Sequence, residues 1–240
     1  LFGTLTRREK ADILSISLDY SFLKNADKLA LVERMKQHAG VEDCLTADIA
    51  YTRGISGNQL LTAPPDDENR REINVDLLSV PQNFFDFMHI PLLKGHAPAH
   101  SGEIVGDQLF EDGMQAERHE SLMGPTFFDY RGGYTVCGVC APLVTNVYRR
   151  GRQPGYFRGF AFLPSAPDSY LSHCYLKCHP GQTDEVRRHV TGLLTEALPY
   201  TIRPEVGTLL DDLEEMQGLE SKLKGVVLFL AVVCVILTLL

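Results

Sequence analysis

ADILSISLDYSFLKNADKLALVERMKQHAGVEDCLTADIAYT, residues 11–52, changes its hydrophobic period twice. Ile13, Ile16 and Leu18 lie in a β-favourable run with period-2 character at its centre. Asn25 or Asp27 can cap the segment that follows, in which Leu29, Val32, Met35 and Lys36 recur at helical spacing and Gly40 supplies the stop. From Val41 the chain reads as strand again, so this stretch predicts a β-α-β unit.

The same grammar returns near the C-terminus. SYLSHCYLKCHPG, residues 169–181, alternates Tyr170, Ser172, Cys174 and Leu176 on one face with Leu171, His173, Tyr175 and Lys177 on the other, and turns at Pro180-Gly181. Thr183 can cap a helix with acids in its first turn and Val186, Val190, Leu193, Leu194 and Ala197 as its buried stripe. YTIRPEVGTLL reads as a strand that Pro204 confines to an edge or a break. Between the two units the pattern changes: GNQLLTAPPDDENRRE, residues 57–72, is a polar, proline-containing loop or hairpin, followed by short strands, turns and short helices. The fold class is therefore α+β and two-lobed. Residues 1–56 and 168–208 form a lobe of repeated β-α-β units that share one sheet, and residues 57–167 form an inserted β-rich lobe.

The last residues follow a different rule. LLDDLEEMQGLESKLK sets Leu209, Leu213, Met216, Leu219 and Leu223 at spacings of three and four, an apolar stripe on a charged helix that we read as a stalk over 209–224. GVVLFLAVVCVILTLL, residues 225–240, carries no charge and is apolar all round, which suits lipid, and Lys222 and Lys224 stand where basic side chains snorkel to headgroups. A bilayer needs about 20 such residues. The run is accordingly expected to be the start of a truncated transmembrane helix, surrounded by membrane lipid. Leu1-Phe2-Gly3 begins abruptly, so the chain reads as an extramembrane domain cut from between two membrane helices.

Composition narrows the function. With 23 Lys+Arg against 31 Asp+Glu the chain is acidic and has no basic stripe, so nucleic acid is not expected as a partner. No HExxH, GxSxG, P-loop or GxGxxG spacing is present, and no catalytic, cofactor-binding or metal residue is expected. His89, His96, His100 and His119 read as loop histidines, because Pro98 disfavours the helix that would align His96 with His100. Asp66-Asp67-Glu68 reads as a solvated loop. Cys137 and Cys140, three apart on a strand, are expected on opposite faces, whereas Cys174 and Cys178 share a face about 13 Å apart. Zinc knuckles are thereby disfavoured, and a disulfide between the two segments stays open.

Three segments, taken in order, carry a resemblance. They are FFDFMHIPLLKGH (Phe84–His96), EIVGDQLF (Glu103–Phe110) and YTVCGVC (Tyr134–Cys140). The chain resembles the periplasmic core domain of MacB-like and FtsX-like ABC transporter permeases, with His96 where arginine is usual and Gly106-Asp107 in place of Asn-Glu. The matched residues have fold-defining roles: Pro81 opens a short helix, Phe84, Phe85 and Phe87 are expected in a core, and Gly138 marks a bulge or close backbone approach. The resemblance implies a non-enzymatic domain on the periplasmic side of the bacterial inner membrane. It also implies a cytoplasmic ABC ATPase partner, a periplasmic adaptor or substrate, and a dimeric permease. The residues leave a membrane-anchored sensor or binding module open as an alternative.

Overall fold

In the computed structural model of the chain, residues 4–142, 156–166, 169–215 and 218 are described. A short helix, α1 (Arg7–Ala11), leads into β1 (Ile13–Ser17), α2 (Asn25–Lys36) and β2 (Val41–Ala47). The second unit is β10 (His173–Cys178), α5 (Thr183–Ala197) and β11 (Val206–Thr208). The two units interleave in one four-stranded sheet of order β11-β1-β10-β2, every neighbouring pair antiparallel. Each unit leaves a gap that a strand of the other fills, which is the split β-α-β arrangement. Pro204 lies just before β11, and that strand is three residues long and sits at the sheet edge, where a missing N–H does least harm.

Both long helices cover one face of this sheet. Val32 and Met35 of α2 and Val186, Val190 and Leu194 of α5 pack on Leu14, Ile16, Cys174 and Leu176. Along α2 the expected face is rotated: Leu29 is exposed, while Lys28 is fully buried. Lys28 reaches the chain before β10, donating to the Leu171 carbonyl at 2.9 Å with its ammonium 3.9 Å from the centre of the Tyr170 ring. The cap expectations shift too. Asn25 holds Ser169 and Leu171 with its side chain, and Thr183 donates to Asp12.

Between the two units lie β3 (Gly57–Leu61), β4 (Glu72–Val80), α3 (Phe84–Phe87), β5 (Leu92–Gly95), β6 (Glu103–Asp107), α4 (Gln108–Arg118), β7 (Thr126–Asp129), β8 (Gly132–Cys140) and β9 (Tyr156–Pro164). Of the loop or hairpin expected at 57–72, the structure forms β3 and the connecting loop of a hairpin whose second strand is β4, antiparallel to β3. The strand order is β5-β8-β6-β9-β4-β3-β7, and β7 also pairs with β8, so the sheet closes on itself as a barrel with β5 as an appendage. Its interior holds Ile73, Val75, Ile104, Val136 and Phe127, with Phe110 and Met114 of α4 as a plug.

A third core joins barrel and sheet. It takes Ile13, Leu45 and Tyr175 from the sheet, Phe160 and Phe162 from β9, and the aromatic cluster of α3. Phe84, Phe85 and Phe87 are all buried there, as their segment predicts.

One expectation about the cysteines fails, for a local reason. Between β6 and β8 the register passes from Ile104↔Val136 to Val105↔Gly138, leaving Cys137 as an extra residue in β8. This bulge breaks the alternation. Cys137 and Cys140 therefore both face the core between barrel and sheet, and do not point to opposite sides.

Candidate functional site

Thr208 and Asp211 begin the helical segment at residues 209–215. The Asp211 carboxylate accepts from the Thr208 backbone N–H at 2.9 Å, and the Thr208 hydroxyl accepts from the Asp211 N–H at 3.0 Å, a reciprocal capping box. The T-x-x-D spacing ahead of an apolar stripe was readable from sequence. Leu209 is fully buried in the core between barrel and sheet, and Leu213 packs against it. These are the first two members of the stripe assigned to the stalk. The rest of that stripe and the apolar run at 225–240 lie outside the described residues. Among the described residues no helix is long and apolar enough to cross a membrane.

The polar face of the same segment is held by buried side chains of the sheet. Asp212 accepts a hydrogen bond of 2.5 Å from the Ser15 hydroxyl, and the Ser15 oxygen lies 2.8 Å from His173 Nε2. Because the hydroxyl proton goes to Asp212, His173 must be the donor, which fixes its proton on Nε2. Thr52 stands 3.5 Å from the same carboxylate, and Arg53 pairs with Asp212 at 3.8 Å and Glu215 at 3.4 Å. Burial, aided by the Arg53 charge, pushes the His173 imidazole down to about 3, and burial raises the Asp212 carboxyl above its usual value. His173 is accordingly neutral at any physiological pH.

Serine, histidine and aspartate meet here, but in an order that does not make a nucleophile. An activated serine gives its proton to histidine, which the carboxylate then steadies. Here serine sits in the middle and its proton points at the carboxylate, so His173 has no proton to take. The arrangement is a latch. It borders an open cleft of about 470 Å³ lined by Asp19, Arg53, Asp211 and Glu215 among others.

The other end of the described chain meets the same segment. Thr6 and Glu9 form a capping box at α1, Leu5 is buried in the shared core, and Arg7 reaches Glu214 at 2.7 Å. Arg187 on α5 approaches Asp211 at 4.0 Å. The segment at 209–215 is thus gripped by α1, β1, the turn after β2, β10 and α5, and the chain enters and leaves the described fold side by side.

Sequence reasoning assigned no site and missed this one. Ser15, the Thr52-Arg53 pair, His173 and Asp212 are far apart in sequence, and no motif links them. Of the histidines it considered, His89 lies 3.3 Å from Glu9 and His119 ends α4 in a left-handed conformation. The loop from His96 to Gly102 is not helical, yet the fold brings His96 together with Glu103 and Cys137, their ligand atoms all within 4.8 Å. The Asp66–Glu68 stretch is a turn, with Asp67 accepting from the Asn69 N–H. The nearest thiol to Cys174 is on neither expected segment: Cys44 on β2 lies 3.6 Å away.

No protein-family model and no curated protein matches the sequence. Solved structures do match. The periplasmic region of MacB from Actinobacillus actinomycetemcomitans superposes with a TM-score of 0.57 over 88% of this chain and 95% of its own length, at 11% identity. A domain assigned to a permease from Porphyromonas gingivalis gives 0.50 over 83% and 90%, at 15% identity. The α+β fold read from the sequence is therefore the fold of the MacB periplasmic region, kept at a level of identity where only the architecture is common to the two.

Proposed function

We propose that this chain is the extracytoplasmic domain of an ABC-type permease, one that couples ATP hydrolysis by a cytoplasmic ATPase to export or to the handling of a substrate or adaptor. Residues 1–56 and 168–208 act as the lobe nearer the membrane and 57–167 as the lobe that meets the adaptor or substrate. Residues 209–224 are the stalk, and 225–240 begin a membrane span. The permease works as a dimer in the bacterial inner membrane, and this domain has no catalytic role.

The observation that carries the reading is the grip on residues 209–215. A helix anchored by the buried Leu209, the half-buried Leu213 and a buried carboxylate, with the opposite end of the described chain ion-paired to it, transmits displacement between the fold and whatever those ends join. The fold shared with a periplasmic permease region agrees with this. Purification of the full-length protein from native membranes in mild detergent, followed by mass spectrometry, tests it. A stoichiometric partner with a phosphate loop, and ATP turnover in the preparation, is the expected result. A protein that comes out alone or with a kinase, without nucleotide hydrolysis, would overturn it.

A further inference from the structure

Three strands converge on one corner of the barrel. At the end of β5, only glycine suits position 95, because Gly95 has φ +68° and a side chain there would run into the Cys137 carbonyl; the backbone N–H of His96 donates to that carbonyl at 3.1 Å. His96 is thereby fixed beside Cys137, the bulged residue of β8. Glu103 opens β6, another neighbour of β8. An imidazole, a carboxylate and a thiol, with ligand atoms all within 4.8 Å of one another, face a common point.

The supporting bonds leave the right atoms free. His96 Nδ1 lies 2.8 Å from the Ala97 carbonyl and so carries the proton, which leaves the Nε2 lone pair to bind. Glu103 accepts from the Ala99 N–H at 2.8 Å through Oε2 and also feels the His100 backbone, and a carboxylate so held keeps lone pairs for a cation. The Cys137 sulfur has carbonyl oxygens of His96 and Ile104 at 3.3 Å as its only described partners. A tetrahedral ion with bonds of about 2.0–2.3 Å wants its ligands about 3.5 Å apart. The exposed His96 and half-buried Glu103 side chains are the ones free to draw in by about an ångström around an ion.

We propose that His96, Glu103 and Cys137 form a binding site for a divalent ion of the zinc class, with the fourth position open to solvent. Nitrogen, carboxylate and thiolate together suit zinc; magnesium and calcium prefer all-oxygen sites. Binding replaces the sulfur–hydrogen bond by a sulfur–metal bond, and the proton leaves to buffer. The ion ties the loop at 96–102 to β8, pinning an otherwise solvent-facing connection of the barrel. Nothing in the site depends on the permease reading.

Cobalt(II) is the probe. The full 240-residue chain, solubilised in detergent and stripped of metal, is titrated with Co²⁺ and read by absorption. One ion per chain is expected, with a sulfur-to-cobalt charge-transfer band and the intense visible bands of a tetrahedral site, all bleached by Zn²⁺. Cys137→Ser should abolish the charge-transfer band. His96→Ala, a change at an exposed side chain that leaves folding alone, should weaken binding at least about tenfold, which is 1.4 kcal/mol. Cys44→Ser, which removes the thiol that lies against Cys174 in the four-stranded sheet, should leave the spectrum intact. Absence of the band in the unmodified chain, its survival in Cys137→Ser, its loss in Cys44→Ser, or unaltered affinity in His96→Ala would each overturn the site.

Discussion

The joint between barrel and sheet is aromatic and closed, whereas the joint between the sheet and residues 209–215 is polar and borders a cleft. At the first, the Tyr51 ring stacks on Tyr175 at 5.7 Å and meets Phe84 edge-on at 5.2 Å, and Phe85 meets Phe162 at 5.4 Å. Even the hydroxyls are used: Tyr51 donates to the Ser79 carbonyl, and the Tyr175 hydroxyl accepts from the Tyr51 N–H, both at 2.9 Å. At the second, Leu209 is the apolar anchor, and the rest of the holding is done by one buried carboxylate and a few ion pairs. Separating the aromatic joint exposes large apolar surfaces, while opening the latch exchanges protein hydrogen bonds for water, at a far smaller net cost. The difference predicts that the polar joint opens at lower cost than the aromatic one.

Phe84→Ala puts that contrast under the greatest load. The ring is fully buried and touches Tyr51, Phe85 and Phe162. Its removal should cost about 3–5 kcal/mol, or about 6–20 °C of melting temperature for a chain of this size, measured by calorimetry. A loss below about 1 kcal/mol would mean the aromatic joint is not what holds barrel and sheet together.

Asp212→Ala should do less globally and more locally. It leaves the Ser15 hydroxyl without its acceptor, at about 1–3 kcal/mol, while Leu209 keeps its place in the core. Hydrogen exchange is the sharper readout. Amides of 209–215 should exchange faster, and those of β10 should not change. Equal acceleration in both would merge the two joints into one cooperative unit.

Acid should find the same latch. The His173 imidazole is held near 3 in the fold against about 6.5 when unfolded, so the unfolded chain binds more protons between those values. Stability is then full above pH 6.5 and lost as pH falls, at about 1 kcal/mol for the first unit and up to about 1.4 for each unit after it. Asp212 works the other way: its raised carboxyl takes up a proton in the fold more readily than when unfolded, which offsets part of the loss once pH approaches its own range. The charges facing His173 are Arg53 and, through Ser15, Asp212. Chemical denaturation at pH 7 and 5.5 should show the loss, and His173→Gln should flatten it. An unchanged slope in that variant would assign the acid sensitivity elsewhere.

What the sequence disclosed follows from how local each signal is. The β-α-β units and the loop or hairpin at 57–72 rest on periodicity and turn residues within a dozen positions, and they appear where expected. The closing of the barrel rests on β7 meeting both β3 and β8, a long-range pairing that no local pattern encodes. The bulge at Cys137 was half visible, since Gly138 signalled an irregularity, but its effect on which way the thiols face needed the partner strand. Lys28 is the plainest miss. A lysine at a helix position beside apolar residues reads as exposed, and only the Leu171 carbonyl and Tyr170 ring, more than 140 residues away, make its burial affordable in energy. The latch was hidden for the same reason, because its members come from four separate segments.

The smallest effect tests whether the polar joint is as weakly tied at its rim as its chemistry implies. Arg7 and Glu214 form the shortest ion pair that holds residues 209–215, at 2.7 Å, yet their side chains are 80% and 52% exposed. Exposed pairs gain little because water screens them and two long side chains must be ordered. Arg7→Ala should therefore cost no more than about 1 kcal/mol, and the difference from the unmodified chain should shrink further in 1 M salt, where the screening length falls to about 3 Å, comparable to the separation of the pair. A larger loss that salt leaves untouched would show that α1 holds the terminal segment by packing through Leu5 and not by charge. In that case both ends of the described fold would belong to the rigid joint.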